Sequence, residues 1–410
     1  MRVNISRRTA LKTSTALAVF GAAACGKGKN PPSVKGDLAG LDAVATAQAV
    51  RDGGVTASEV INAAIDRAEA VNPKINAIVS SYFDSARERA SEGISGPWAG
   101  VPPFVKDLNN VIGQRTAYGA RAFANNIASR QSEFVDAYFA TGMISLGKSA
   151  TPEFGLNATT ETSLMGATRN PWNLDHSSGG SSGGAAALVS AHVVPVAHAS
   201  DGGGSIRIPA ACCGLVGLKP SSFRFPEPER PVGRPIRITE HGIEARSVRD
   251  VAAFFAMMEI ESDHPQVGLV EGASTTRRKI GLYTAPASGT EVDPEVDAVT
   301  RQAGEVLASL GHEVIEIATP FASAVSQDFG LYWAAGATGA VRNWERAVGR
   351  KAGYNDFEAW TFGLIDHYNM RSDTLEDAIG RLANFSAQWR AAFDQYDICL
   401  LYTSPSPRDS

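Results

Sequence analysis

The chain has 410 residues, of which 44% are hydrophobic and 20% charged, enough apolar material for one large core or two modest ones. Its net charge of −5 provides no broad basic field, so nucleic acid is not an expected partner. Its four cysteines do not make a disulfide framework; Cys212 and Cys213 are adjacent, a poor geometry for a mutual bridge, and read as small buried residues.

The first segment reads as a targeting signal. Ser6-Arg7-Arg8-Thr9-Ala10-Leu11-Lys12 is followed by an uncharged run over 13–24. A short basic region before an apolar stretch too short to span a bilayer predicts export. Paired Arg7 and Arg8 resemble a twin-arginine signal, with Ala10 where an aromatic residue is usual. Ala22-Ala23-Ala24-Cys25 suits either cleavage after a small-residue triplet or lipidation of Cys25, although a lipobox normally carries Leu where Ala22 stands. Residues 26–33, polar with paired prolines, read as a tether. The expectation for 1–33 is an export signal and tether, leaving the protein periplasmic or attached to the membrane through Cys25.

Thr56 with Glu59 forms a capping box, and Ile61, Ile65 and Ala68 follow at helical spacing until Asn72-Pro73 stops the helix. The apolar run 101–105 predicts a strand that ends at Lys106. A lysine in that position can be buried, and burial depresses its pKa enough to make it a usable base. Residues 143–146 predict a second buried strand, whereas 173–178 are too polar to form a core strand.

Two Gly-rich turns then follow, each containing a serine: Gly179-Gly180-Ser181-Ser182-Gly183-Gly184 and Asp201-Gly202-Gly203-Gly204-Ser205. Glycine lets the backbone adopt positive φ and approach a ligand closely, and successive N–H groups in such a turn can face developing negative charge. A serine at its end puts a nucleophile beside those donors, as acyl transfer requires. Alone, 179–184 would read as a linker. The apolar run 193–199 places the second cluster at the end of a buried strand, and linkers are not built that way.

These residues resemble the amidase signature family of serine hydrolases, over roughly 42–397. The resemblance implies cleavage of carboxamide C–N bonds by a triad of Lys106, Ser181 as the cis-serine and Ser205 as the nucleophile. It implies backbone donors at Gly202, Gly203 and Gly204 for the oxyanion, with Ser182, Asp201 and Arg207 in support. It further implies an α/β fold, a mainly parallel or mixed twisted sheet covered by helices on both faces. His198-Ala199-Ser200-Asp201 and the Cys212-Cys213 pair are similar, over short segments, to amidases of the aminohexanoate cyclic-dimer hydrolase type.

Gly179-x-Ser181-x-Gly183 also fits the nucleophile elbow of α/β-hydrolases, but that motif needs an apolar strand directly before it, and 173–178 is none. His198, after its strand, reads as structural, and His176 as a candidate pocket residue. No metal-ligand cluster or nucleotide fingerprint is present in the sequence, so no cofactor is expected.

Beyond Pro220, residues 223–235 read as loop, and Ser247 caps a helix through Met258. Strand 279–283, a helix opened by Asp293-Pro294 and ended by Gly311, and strand 313–317 form a β-α-β unit. Residues 321–396 read as helical and rich in aromatics, the region that shapes the pocket in the resembled family. Residues 395–398 resemble the start of a further strand, and 399–410 read like a translated sequencing adapter. The expected organisation is therefore a single domain over 34–398, incomplete at its C-terminus, followed by a non-native tail.

Three functions compete on these grounds. An exported amidase acting alone on a small-molecule amide is favoured by the signal segment. The amidase subunit of a tRNA-dependent amidotransferase would be cytosolic, and an inactive binding protein would not keep all three triad positions.

Overall fold

Local capping chemistry sets the first helices. In the computed structural model, which describes residues 38–227, 237–286, 290–319 and 324–401, helix α1 (Ala43–Arg51) begins where Asp42 accepts the Ala45 N–H. Helix α2 (Ala57–Ile75) has the complete capping box between Thr56 and Glu59 and buries Val60, Ile61, Ala64, Ile65 and Ala68. It does not stop at Asn72-Pro73 but runs on to Ile75, with Asn76 left-handed as its cap. A proline in the last turn removes only one backbone bond. Asn72 Oδ1 then accepts the N–H groups of Ala77 and Ile78, which steers the chain into the next strand.

Strand β1 (Ile78–Ser81), helix α3 (Phe83–Ser91), strand β2 (Val105–Lys106), helix α4 (Glu133–Ala140) and strand β3 (Gly147–Ser149) follow. They give a sheet in the order β1-β3-β2, β3 antiparallel to β1 and parallel to β2. The strands expected at 101–105 and 143–146 are thus shorter or shifted. Pro102 and Pro103 have no N–H to donate, so the contact with 143–146 rests on the Val101 and Pro103 carbonyls, which accept from Ile144 and Leu146, and the regular ladder starts at Val105.

Two hairpins come next, β4 (Glu161–Thr162) with β5 (Gly166–Ala167) and β6 (Arg169–Asn170) with β7 (Asn173–Ser177). Strand β7 is polar and exposed, so the strand directly before Ser181 is not a core strand. Helix α5 (Gly183–Ser190), strand β8 (Val196–Asp201), helix α6 (Arg207–Cys213), strand β9 (Val216–Gly217), strand β10 (Glu240–Ala245) and helix α7 (Val248–Met258) complete the central part. Here β8, β10 and β9 are antiparallel neighbours, and the His198 N–H donates to the Phe104 carbonyl, which joins this sheet to the first.

Adjacent residues on these strands point to opposite faces. Phe104 and Ala197 pack with residues of α2, α3 and α5, while Val105, Val196, Ile243 and Ala245 pack with residues of α1, α4 and α7. Helices therefore cover both faces of a mixed sheet, as the resemblance implied.

The last part is a parallel unit of β11 (Lys279–Tyr283), helix α8 (Pro294–Ser309), capped by Asp293, and β12 (Glu313–Glu316). Helices α9 (Ala324–Val348), α10 (Ala359–Arg371) and α11 (Leu375–Ala392) follow, with α9 packed on both of the others. Strand β13 (Ile398–Leu401) then pairs with β11 in parallel.

Candidate active site

The first serine turn is pinned by close backbone approach. A side chain at Gly184 would collide with the backbone of Ala150, so glycine is required where α5 starts against β3. The Gly180–Ser181 peptide is cis. Ser181 and Ser182 are both buried, and their hydroxyls meet the amine of Lys106, which lies at the end of β2 with no exposed surface. Lys106 Nζ is 2.7 Å from Ser181 Oγ and 2.8 Å from Ser182 Oγ. It is also 3.2 Å from both the carbonyl oxygen and the hydroxyl of Ser200, a residue on β8 that the sequence reading did not single out. The strand alternation that places Ser200 and His198 on one face was the available signal.

Burial pushes the Lys106 amine down to about 7, against weaker upward pulls from Asp201 and Glu244. Glu244, on β10, is itself buried, and among the described residues neither of its carboxyl oxygens has a hydrogen-bond partner. Burial therefore raises its pKa well above the usual carboxylate range, and it carries little charge to offset the desolvation of the lysine. An uncharged amine 2.7 Å from a serine hydroxyl can accept its proton.

The second serine turn is organised by Asp201. Its burial works to raise its pKa, but hydrogen bonds and the charge of Arg207, with the Gly204 and Ile206 N–H groups, outweigh this and hold it below the usual range. Arg207 Nε and Nη2 each lie 2.9 Å from the carboxylate. The Gly204 N–H donates to Asp201 Oδ1 at 2.8 Å, and Gly204 has φ +118, which only glycine adopts readily. Gly204 was expected among the oxyanion donors, but its N–H is directed to Asp201 here, which leaves Gly202, Gly203 and Ser205 as the candidate donors. The two serine turns are joined where the Ser182 N–H donates to the Ser205 carbonyl at 3.3 Å.

His198 and His241 lie beneath Lys106. The Lys106 N–H donates to His198 Nδ1 at 3.2 Å, and His198 Nε2 is 2.9 Å from His241 Nδ1. An accepting Nδ1 on His198 leaves its proton on Nε2, which then donates to His241. Burial, with the neighbouring positive charges, lowers His198 well below its ordinary range and His241 to about 3, so both rings are neutral. The structural reading of His198 accords with this geometry. His176 sits on the exposed strand β7. Cys213 is buried and Cys212 partly so, both as free thiols, while Arg7, Arg8 and Cys25 lie outside the described residues.

The Amidase family profile matches residues 59–408. AmiC of Mycobacterium tuberculosis is 42% identical over 373 residues, spanning 89% of this chain and 78% of its own. The 6-aminohexanoate-cyclic-dimer hydrolase of Paenarthrobacter ureafaciens is 42% identical over 293 residues, 67% of this chain and 58% of its own. A solved 6-aminohexanoate cyclic dimer hydrolase, complexed with substrate, superposes with a TM-score of 0.78 at 32% identity, covering 88% of this chain and 78% of that one. The chain belongs to the amidase signature family, and it is an enzyme that hydrolyses amides.

Proposed function

We propose that this amidase works through a Ser205 acyl-enzyme, with Lys106 and Ser181 as the proton relay. The observation that carries the reading is the 2.7 Å approach of Lys106 Nζ to Ser181 Oγ in a fully buried setting. Neutral Lys106 takes the Ser181 proton while Ser181 takes that of Ser205, and Ser205 Oγ attacks the amide carbonyl. Backbone N–H groups of Gly202, Gly203 and Ser205 face the developing oxyanion, in a turn held by Asp201 and Arg207. The relay returns the proton to the leaving amine, and water releases the acyl group. The substrate is a small-molecule linear or cyclic amide, a reading supported by the cyclic-dimer hydrolases among the relatives. The paired Arg7 and Arg8 and the apolar run after them support export, with residues 34–398 acting as one catalytic domain.

Labelling with a fluorophosphonate tests the assignment. Wild type should label and turn over, and Ser205→Ala should do neither. Ser181→Ala should label slowly, because the nucleophile and its oxyanion donors survive. Equal labelling of wild type and Ser205→Ala would reject Ser205 as nucleophile.

A further inference from the structure

The aromatics of α9 and its neighbours divide into two sets. Trp344 and Phe357 are buried with Val341, and Phe123 and Phe154 pack against them, so this set is core. Phe329 and Trp333 lie one turn apart on α9 and remain only half-buried. Their rings stack with centroids 5.4 Å apart and planes 28° apart.

This pair sits on the second serine turn. A Cβ at Gly202 would lie 3.4 Å from Trp333 Cζ3, and one at Gly203 would lie 3.4 Å from Phe329 Cζ. Gly203 is exposed, while Ser205 keeps 7% of its surface open. On its other side the Trp333 indole N–H donates to the Leu156 carbonyl at 3.3 Å, an oxygen it shares with Trp360. The neighbouring residue Gly155 backs onto the first serine, where an added Cβ would lie 3.1 Å from Ser181 Oγ. Trp333 therefore bridges the two backbone segments beside Ser181 and Ser205. Asp328, next to Phe329, is held by Arg381 through two bonds of 2.7 and 2.8 Å, which fixes this turn of α9 on α11.

We propose that Phe329 and Trp333 form the apolar wall of the substrate subsite beside Ser205, and that the preferred substrates carry a flat apolar group, such as a phenyl ring, next to the scissile amide. The proposal rests on Ser205 being the nucleophile. A planar substituent gains contact and favourable ring geometry against two fixed aromatics. A small aliphatic amide leaves the wall wet, and a charged group would lose hydration against it without a partner.

The test compares kcat/KM on 4-nitroacetanilide, benzamide and acetamide for wild type, Trp333→Ala, Phe329→Ala and Trp333→Phe. Labelling by a methyl fluorophosphonate, which needs only Ser205 and its immediate surroundings, runs in parallel. Truncation of either ring should cut kcat/KM on the two aryl amides about tenfold, chiefly through KM. The aryl-to-acetamide ratio of kcat/KM should therefore fall about tenfold in both alanine variants, and Trp333→Phe should restore most of that ratio. Equal losses on all three amides, or unchanged aryl turnover, would overturn the proposal. Wild type that takes no label would instead reject the Ser205 assignment. If Trp333→Ala does not fold, Phe329→Ala, whose side chain makes no hydrogen bond, decides the same comparison.

Discussion

The amine of Lys106 stands 3.2 Å from the carbonyl oxygen of Ser200, an acceptor that cannot donate back. One lysine N–H therefore points there. Ser182 Oγ is 3.3 Å from that same carbonyl and 3.3 Å from the Ser200 N–H, so its own hydrogen goes to the carbonyl and it accepts from Lys106 at 2.8 Å. Both hydrogens of a neutral amine are then committed, and its lone pair is left for the Ser181 hydroxyl. Ser182→Ala should loosen that orientation, lowering kcat about tenfold with KM little changed. Steady-state kinetics check this; an unchanged kcat would make Ser182 mere scaffold.

The pH profile follows from the same lysine. Its pKa is depressed to about 7, and only the uncharged amine can act as base. In the rising limb kcat/KM should climb about tenfold per pH unit and level off above pH 7. Asp201 gives no such limb, since it is held below its usual range and stays charged throughout. A flat profile between pH 5 and 8 would remove Lys106 from the role of base.

His198 supports the backbone that carries Lys106 without touching its amine. His198→Ala leaves the Lys106 N–H without its acceptor, at a cost of about 1–3 kcal/mol in stability. The rising limb should stay at the same pH in this variant. Chemical denaturation and a pH profile measure the two effects separately, and loss of the limb would transfer the base to histidine.

Asp201 orders the second serine turn by accepting from Gly204, Ile206 and Arg207. Asp201→Ala should free the Gly204 N–H and let the turn relax, lowering kcat/KM about 10²-fold, the scale of losing an oxyanion donor. Asp201→Asn, which keeps an acceptor, should lose less. The labelling rate reports the same ordering of variants, and equal rates in both would argue that only the charge matters.

Export can be followed by fractionation. Replacing Arg7 and Arg8 by Lys should hold the precursor in the cytoplasm. Cys25→Ala should release membrane-bound protein only if Cys25 is lipidated, and one acyl chain alone would bind weakly. Wild type recovered soluble from the periplasm excludes the lipid anchor.

Much of the site was legible because its chemistry is written locally. The glycines around Ser181 and Ser205 announce backbone that must approach something closely, and the apolar run before Lys106 announces its burial. Strand β10 was not legible. Its Glu240, His241 and Glu244 look like surface residues, yet the whole strand is buried between β8 and β9. Arg237 satisfies Glu240, and His198 satisfies His241, through contacts that no period of two can reveal.

The sequence by itself determined the elements whose causes lie within a few residues: the Thr56–Glu59 capping box, the Asp293-Pro294 helix start and the two Gly-rich turns. Only the tertiary structure decided which groups meet. Ser200 reaches the Lys106 amine because β8 runs beside β2, and Gly204 turns its N–H to Asp201 rather than to the oxyanion side. Phe329 and Trp333 are distinguished from the core aromatics only by lying against Gly202 and Gly203. Burial and hydrogen-bond partners depend on what the fold places alongside each residue, and composition and spacing along one chain do not contain that information.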